Sequence, residues 1–336
     1  MNQRRRTFLK TSVLGTAAAA AAGLRPGFGP GPASAATSEA LPRGLTFVTL
    51  RTNGDVSLGI KTDKGIVDVR AAEAAFKLRV PTTIGAVLQG RGELKALPRL
   101  VERAAGRPSL VLAEDTVRFG PCVTNPEKII CVGLNYRKHA AETGNPVPKT
   151  PILFNKYNNA LAGHKSVIRV SEEPTEKVDY EVELVIVMGR TARNVSEADA
   201  LSYVFGYCTG NDLSARDLQS RTSQWMIGKS LDGFAPIGPY LVTADQVPDP
   251  NALALDTKVN GEVRQASNTS DMVFNCRQLV SYASKMFTLR PGDLIFTGTP
   301  EGVIAGYPKD QQVWLKAGDK LTNRIERLGE LAFTLG

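Results

Sequence analysis

Three groups of residues have the types and spacing to do chemistry. The run Asp179-Tyr180-Glu181-Val182-Glu183-Leu184-Val185-Ile186-Val187-Met188 reads as a strand. Side chains alternate along a strand, so Glu181 and Glu183 share one face while Val182, Leu184, Ile186 and Met188 line the other. Two carboxylates side by side on a strand that soon turns apolar repel each other and resist burial. A divalent cation relieves both costs. Solvated glutamates at an exposed strand end are the alternative.

The second group lies in Gly210–Gln219, after a strand-like run from Tyr203 to Thr209. Asp212 stands at the end of that run. Asn211 or Asp212 is positioned to cap a helix beginning near Leu213, which is the purely structural use of one of them. On such a helix Asp212, Arg216 and Gln219 share a face. A third carboxylate beside a basic and an amide group suits a hard metal that holds an acidic substrate.

The third group is Gly133-Leu134-Asn135-Tyr136-Arg137-Lys138-His139-Ala140-Ala141-Glu142. If this segment turns helical, His139 and Glu142 lie three residues apart on one face. A carboxylate beside an imidazole orients the ring and raises its basicity, which yields a general base near neutral pH. A satisfied structural histidine is the competing use. His139 and His164 are the two histidines of the chain, and the cysteines Cys122, Cys131, Cys208 and Cys276 are far apart. A zinc site of histidines or paired cysteines is thereby excluded, and any metal takes mainly oxygen ligands: magnesium, manganese or calcium. The cysteines read as small buried hydrophobes, and His164 as a loop residue in solvent.

The elements that must position these groups are mostly strands. Short β-branched runs at 45–50, 56–60 and 66–69, with turns at Asn53-Gly54 and Lys64-Gly65, are followed by helical patterns at 83–88 and 94–105. They define a small N-terminal domain over 44–120, and a linker near 120–126 leads to a larger part over 126–336. There Lys128–Val132 reads as a buried strand, and Asn260-Gly261 marks a hairpin with a type I′ turn. Asp271–Met286 reads as one long helix with Asp271 as its cap.

The chain has 336 residues, with 42% hydrophobic and 22% charged, which fits a globular protein and excludes collagen-like, coiled-coil or disordered classes. Its formal charge is +8, yet Arg4, Arg5, Arg6, Lys10 and Arg25 precede residue 36 with no acid among them. Without them 36 basic residues face 33 acidic ones, a balance of +3, so a nucleic-acid partner loses its motivation. The basic patch, the apolar stretch Thr11–Leu24 and Ala33-Ser34-Ala35 form a three-part export signal over 1–35, cut before Ala36. Arg5-Arg6-Thr7-Phe8-Leu9-Lys10 resembles a twin-arginine motif, which implies use of that export machinery and a periplasmic or extracellular destination. About 14 apolar residues fall short of the ~20 needed to span a bilayer, so no membrane insertion is expected after cleavage.

Six motifs, GLNYRKHAAE, DYEVEL, NDLSARDLQ, GKSLDGFAPIGP, VNGEVRQ and PGDLIFTGTPEGV, occur in this order between about 128 and 304. Together they resemble the fumarylacetoacetate hydrolase family, in particular its bacterial acylpyruvase-like branch. The resemblance implies an α+β, predominantly β fold: a mixed β-sandwich roll with a small N-terminal α/β domain, forming a homodimer. It implies Glu181, Glu183 and Asp212 as ligands of a divalent cation, magnesium first, with manganese or calcium as alternatives. It implies His139 and Glu142 as the water-activating pair, with Lys229 beside them in catalysis. Arg216, Gln219 and Thr299 fall in motifs that contact substrate. Two positions depart from the pattern. Lys138 stands where the family often has Asp, and Gly163-His164-Lys165 replaces a stretch that commonly contains Gly-Pro.

The implied activity is hydrolytic cleavage of a carbon–carbon bond in a 1,3-dicarbonyl acid of the acylpyruvate or fumarylpyruvate kind. Decarboxylation, isomerisation or hydration of a related 2-oxo acid would use the same groups. A protein that captures acidic metabolites without turnover is the alternative of another class.

Overall fold

The computed structural model describes residues 41–52 and 54–336. The export signal expected over 1–35, and Asn53 of the first turn, lie outside the described residues. The described residues form one compact unit.

Among the described residues, fifteen strands build the two main sheets. In chain order the first eight are β1 (Thr46–Thr52), β2 (Asp55–Thr62), β3 (Gly65–Asp68), β4 (Val111–Leu112), β5 (Ile129–Gly133), β6 (Ile152–Lys156), β7 (Val167–Ile168) and β8 (Val182–Met188). The others are β9 (Val204–Asn211), β10 (Tyr240–Thr243), β11 (Ala254–Val259), β12 (Glu262–Asn268), β13 (Leu294–Phe296), β14 (Lys320–Ile325) and β15 (Gly329–Leu335). The larger sheet runs β4-β3-β2-β1-β10-β9-β8-β13-β5-β6, and the smaller β12-β11-β14-β15-β7. Segment 44–120 supplies β1–β4, and β1 pairs with β10, so its strands continue the sheet of the larger part. The result is a strand-rich α+β fold.

Strand β8 shows why the sheet sits where it does. Every residue of VELVIVM is buried, as a central strand covered on both faces requires. Val185 and Val187 enter one core, which packs under helices α1 (Val69–Phe76), α2 (Ile84–Leu88) and α3 (Leu97–Ala105). Val182, Leu184, Ile186 and Met188 enter the other core, with Leu279, Val280 and Ala283 of the helix Cys276–Met286. The period-2 pattern therefore divides the molecule into two apolar layers, and truncating a side chain such as Ile186 would cost about 2–5 kcal/mol.

Two local readings hold and one shifts. Asn260 and Gly261 adopt φ of 52° and 88° in the β11–β12 turn, the left-handed pair that a type I′ hairpin needs. Helix α3 follows a short 3₁₀ turn at Leu94–Ala96 and stops at Gly106. The helix expected from Asp271 begins instead at Cys276, because Asn275 and Gln278 form a reciprocal capping box there. Asp271 ends a 3₁₀ turn, and its carboxylate accepts the Lys138 amide at 3.1 Å.

Candidate metal centre and catalytic cavity

The carboxylate cluster forms where β8 and β9 run side by side. Val182 pairs with Asn211, so Glu181 and Asp212 meet just beyond the ends of the two strands, and the Asp212 amide donates to the Glu181 carbonyl at 2.8 Å. One carboxylate oxygen from each of Glu181, Glu183 and Asp212 lies within 4.8 Å of the others. All three residues are buried, which removes the solvated-glutamate alternative.

Asp212 reaches the cluster by a different route from the one expected. The chain after it forms a short bridge, Ser214–Ala215 against Val178–Asp179, before helix α5 (Arg216–Gln219) begins. Neither Asn211 nor Asp212 caps that helix. The Asn211 side chain instead accepts the Glu181 amide at 3.1 Å and donates to Asn323 on the second sheet. Arg216 and Gln219 therefore share the one short helix, whereas strand pairing rather than that helical face brings Asp212 to them.

Cations are distributed unevenly over the three acids. Glu181 accepts from Arg216 at 2.6 Å and from Lys229 at 2.7 Å. Lys229, on helix α6 (Met226–Lys229), also donates to Asp212 at 2.8 Å. Glu183 accepts only the Gly298 amide, at 2.7 Å, among the described hydrogen bonds. Gly298 has φ of +99°, and a Cβ there would lie 2.7 Å from the Asn135 Cβ, so a side chain at this position would displace the donor.

Burial opposes the Glu181 charge, but Lys229 and Arg216 outweigh it and hold the carboxyl well below its usual range. For Glu183, burial and the charges of Asp212 and Glu181 act together and push the carboxyl well above its usual range. An additional positive charge beside Glu183 removes that conflict, and the donors are all hard oxygens. The residues present therefore fit a divalent cation held by Glu181, Glu183 and Asp212.

The His139–Glu142 pair is formed. Helix α4 (Arg137–Glu142) follows β5 through Leu134, which sits at a left-handed φ of 53° and turns the chain toward the acids. His139 Nδ1 lies 2.8 Å from Glu142 Oε1, and Glu142 Oε2 accepts the Gly302 amide at 2.8 Å. A carboxylate fixed at both oxygens holds the imidazole in one orientation and leaves Nε2 as the working nitrogen.

His139, Glu181, Glu183, Asp212, Arg216, Gln219, Lys229 and Thr299 line one cavity of about 170 Å³, with Glu142 behind His139. That is small against the ~300–1,000 Å³ of sites for drug-sized ligands, so it suits a compact metabolite. Gln219 accepts from Arg216 at 3.0 Å, and Thr299 accepts from Gln265 at 2.9 Å. Lys138 points away, with its ammonium 3.4 Å from Glu301 and its side chain exposed.

His164 stands outside this cavity and is not a solvated loop residue. It is half-buried, packs edge-on against Phe119, and accepts the Ala332 amide at Nδ1. Burial, with Lys165 adding to it, lowers its pKa to about 4.

Two groups that support the site escaped the sequence reading. Asp179 is fully buried and accepts from Arg216 Nε at 2.9 Å, from the Ile304 amide at 2.8 Å and from the Ala305 amide at 3.0 Å. Lys156 is buried behind Asp212, with its ammonium 2.5 Å from Asp212 Oδ1. Asp179 lay inside the acidic run already singled out, whereas Lys156 carried no local signal.

The family profile described as Fumarylacetoacetate (FAA) hydrolase C-terminal matches residues 128–335, which include every one of these groups. The chain belongs to the fumarylacetoacetate hydrolase family. Among relatives within that family, a fumarylacetoacetate hydrolase domain-containing protein 2 homolog of Dictyostelium discoideum is 51% identical over 218 residues, 61% of this chain and 70% of its own. The mitochondrial oxaloacetate tautomerase FAHD2A of Bos taurus is 41% identical over 276 residues, 81% of this chain and 85% of its own. The maleylpyruvate hydrolase of Sphingobium sp. SYK-6, solved with manganese(II) and pyruvate, superimposes with a TM-score of 0.67. It shares 30% identity and covers 85% of this chain and 98% of its own. Hydrolases, isomerases and tautomerases all occur among such relatives, and the coarse class of this chain is an enzyme of that group.

Proposed function

We propose that this protein hydrolyses a carbon–carbon bond in a small 2,4-dioxo acid, an acylpyruvate, with a divalent cation bound by Glu181, Glu183 and Asp212. The observation that carries the reading is the position of His139: its ring shares the cavity with the three carboxylates while Nδ1 is committed to Glu142. The cation supplies Lewis-acid polarisation of the 2-oxo group and a counter-charge for the neighbouring carboxylate. Manganese and magnesium are both candidates, and the manganese in the maleylpyruvate hydrolase neighbour supports the first.

The chain's own residues do the rest. His139 Nε2 takes a proton from a water molecule as its oxygen attacks the 4-carbonyl. Lys229 and Gln219 face the oxyanion that forms, from positions that buried carboxylates and Arg216 hold fixed. The C3–C4 bond then breaks, with its electron pair passing to the three-carbon fragment. That fragment takes the proton from His139 and leaves as pyruvate beside a carboxylic acid.

A second reading is keto–enol tautomerisation of a 2-oxo diacid, in which the same imidazole moves a proton at the carbon next to the 2-oxo group. It is favoured by the bovine tautomerase, which matches this chain at higher identity than the maleylpyruvate hydrolase does. The test is full-length protein stripped of metal and resupplied with manganese or magnesium, presented with acylpyruvates and with oxaloacetate in parallel. Release of pyruvate and a second acid supports hydrolysis. Interconversion of oxaloacetate forms, with acylpyruvates untouched, moves the assignment to the second reading.

A further inference from the structure

One wall of the cavity is apolar and has no part in the steps above: Val132, Leu134, Phe154 and Trp225. Two short elements set it beside the charged cluster. On β6, Phe154 and Lys156 share a face, and the Phe154 ring lies 5.1 Å from the Lys229 ammonium while Lys156 meets Asp212. On the other side Trp225 precedes α6, four residues before Lys229, so one helical turn carries both the indole and the ammonium. The two rings meet edge to face with centroids 5.4 Å apart and planes at 70°. Gly133 makes room for the indole, because a Cβ there would lie 2.5 Å from Trp225 Cζ3.

The cations of the cavity are already engaged. Among its described lining residues only Arg216 and Lys229 carry a fixed positive charge. Arg216 is held by Asp179 and Glu181, and Lys229 by Glu181 and Asp212. The polar side chains near the rim are engaged as well: Thr143 donates to the His139 carbonyl, and Asn145 donates to Thr143. A substrate carboxylate therefore has one favourable place, at the acid cluster with its cation. A second one against Phe154 and Trp225 would lose water and meet only the Lys229 ammonium, which Glu181 and Asp212 already hold.

We infer that the Phe154–Trp225 wall is the acyl subsite, and that it takes a flat, uncharged alkenyl or aryl group rather than a second carboxylate. This rests on the 2,4-dioxo-acid reading above. It separates the chain's preferred substrates from diacids such as maleylpyruvate and oxaloacetate.

The test uses two probes of nearly equal shape, crotonylpyruvate and fumarylpyruvate, which differ by a terminal methyl against a terminal carboxylate. Turnover of both is measured in the wild type, Trp225→Ala and Trp225→Phe. Binding is followed by indole fluorescence in Trp314→Phe, where Trp225 is the remaining tryptophan of the two. The expected result is a kcat/KM roughly tenfold or more higher for the methyl-ended probe. Trp225→Ala should abolish the preference and Trp225→Phe restore most of it, with quenching of Trp225 by the preferred probe at lower concentration. Equal use of the two probes, a preference for fumarylpyruvate, or a preference unchanged in Trp225→Ala overturns the subsite while leaving hydrolysis intact. Selective quenching without cleavage of either probe keeps the subsite and overturns the hydrolytic reading instead.

Discussion

The Lys156 ammonium lies 2.5 Å from Asp212 Oδ1, with neither side chain reaching solvent. The same nitrogen donates to the carbonyl oxygens of Leu213 at 3.0 Å and Phe234 at 2.8 Å, and to that of Lys229. One side chain thus ties a proposed metal ligand, the residue after it and the backbone of the neighbouring lysine to edge strand β6. Burial lowers the Lys156 pKa, and the Asp212 charge works against that lowering.

Lys156→Met leaves Asp212 short of a counter-charge and three carbonyls short of a donor. Removing one partner of a buried pair costs about 3–5 kcal/mol, so the midpoint of thermal unfolding should fall clearly. Manganese affinity, measured by titration calorimetry on the folded variant, should drop about 10–100-fold through loss of ligand orientation. An unchanged affinity would show that Asp212 needs no such support.

Glu142→Gln keeps the shape of the pair but removes the charge that orients the His139 ring. The expected effect is a fall in kcat of about a hundredfold or more with manganese affinity unaltered. A parallel loss of metal binding would mean that the His139–Glu142 pair is not separate from the cation site.

Asp179→Asn weakens a hub that holds Arg216 on one side and the Ile304 and Ala305 amides on the other. An amide has one acceptor oxygen where the carboxylate has two, and it lacks the charge that Arg216 meets. KM should rise and the thermal midpoint fall together. A rise in KM at constant stability would instead confine the role of Asp179 to Arg216.

His164 adds a pH-dependent contribution far from the chemistry. Its folded-state pKa of about 4 lies below the ordinary 6.5, because burial disfavours the imidazolium. The unfolded chain thus binds more protons between these values, and stability falls as pH drops from 6.5 toward 4. Above that window the contribution is complete, and below it is gone. Urea midpoints at several pH values should show a shallower acid-side decline in His164→Gln than in the wild type. Identical slopes would contradict a buried neutral ring.

What the sequence made legible is the chemistry that repeats locally. Glu181 and Glu183 are two residues apart on a strand, and His139 and Glu142 are three apart on a helix, so backbone periodicity alone places each pair. Asp212 was legible as a strand-end acid, but its helix was not, since pairing of Ser214–Ala215 with Val178–Asp179 delays it to Arg216. Lys156 and Trp225 acquire their places from contacts with residues distant in the chain, which no local spacing reports. Asp271 misled as a helix cap because an acid before a helical pattern has two possible customers, and here the Lys138 amide takes it.

The most direct test is cleavage of crotonylpyruvate by the full-length, manganese-loaded protein in water enriched in heavy oxygen. If His139 directs water to the 4-carbonyl, the released crotonic acid carries one heavy oxygen. The label and the acid should both vanish in His139→Ala, which still binds manganese. Interconversion of the keto and enol forms with no acid released, or full activity in His139→Ala, would contradict hydrolysis by this pair.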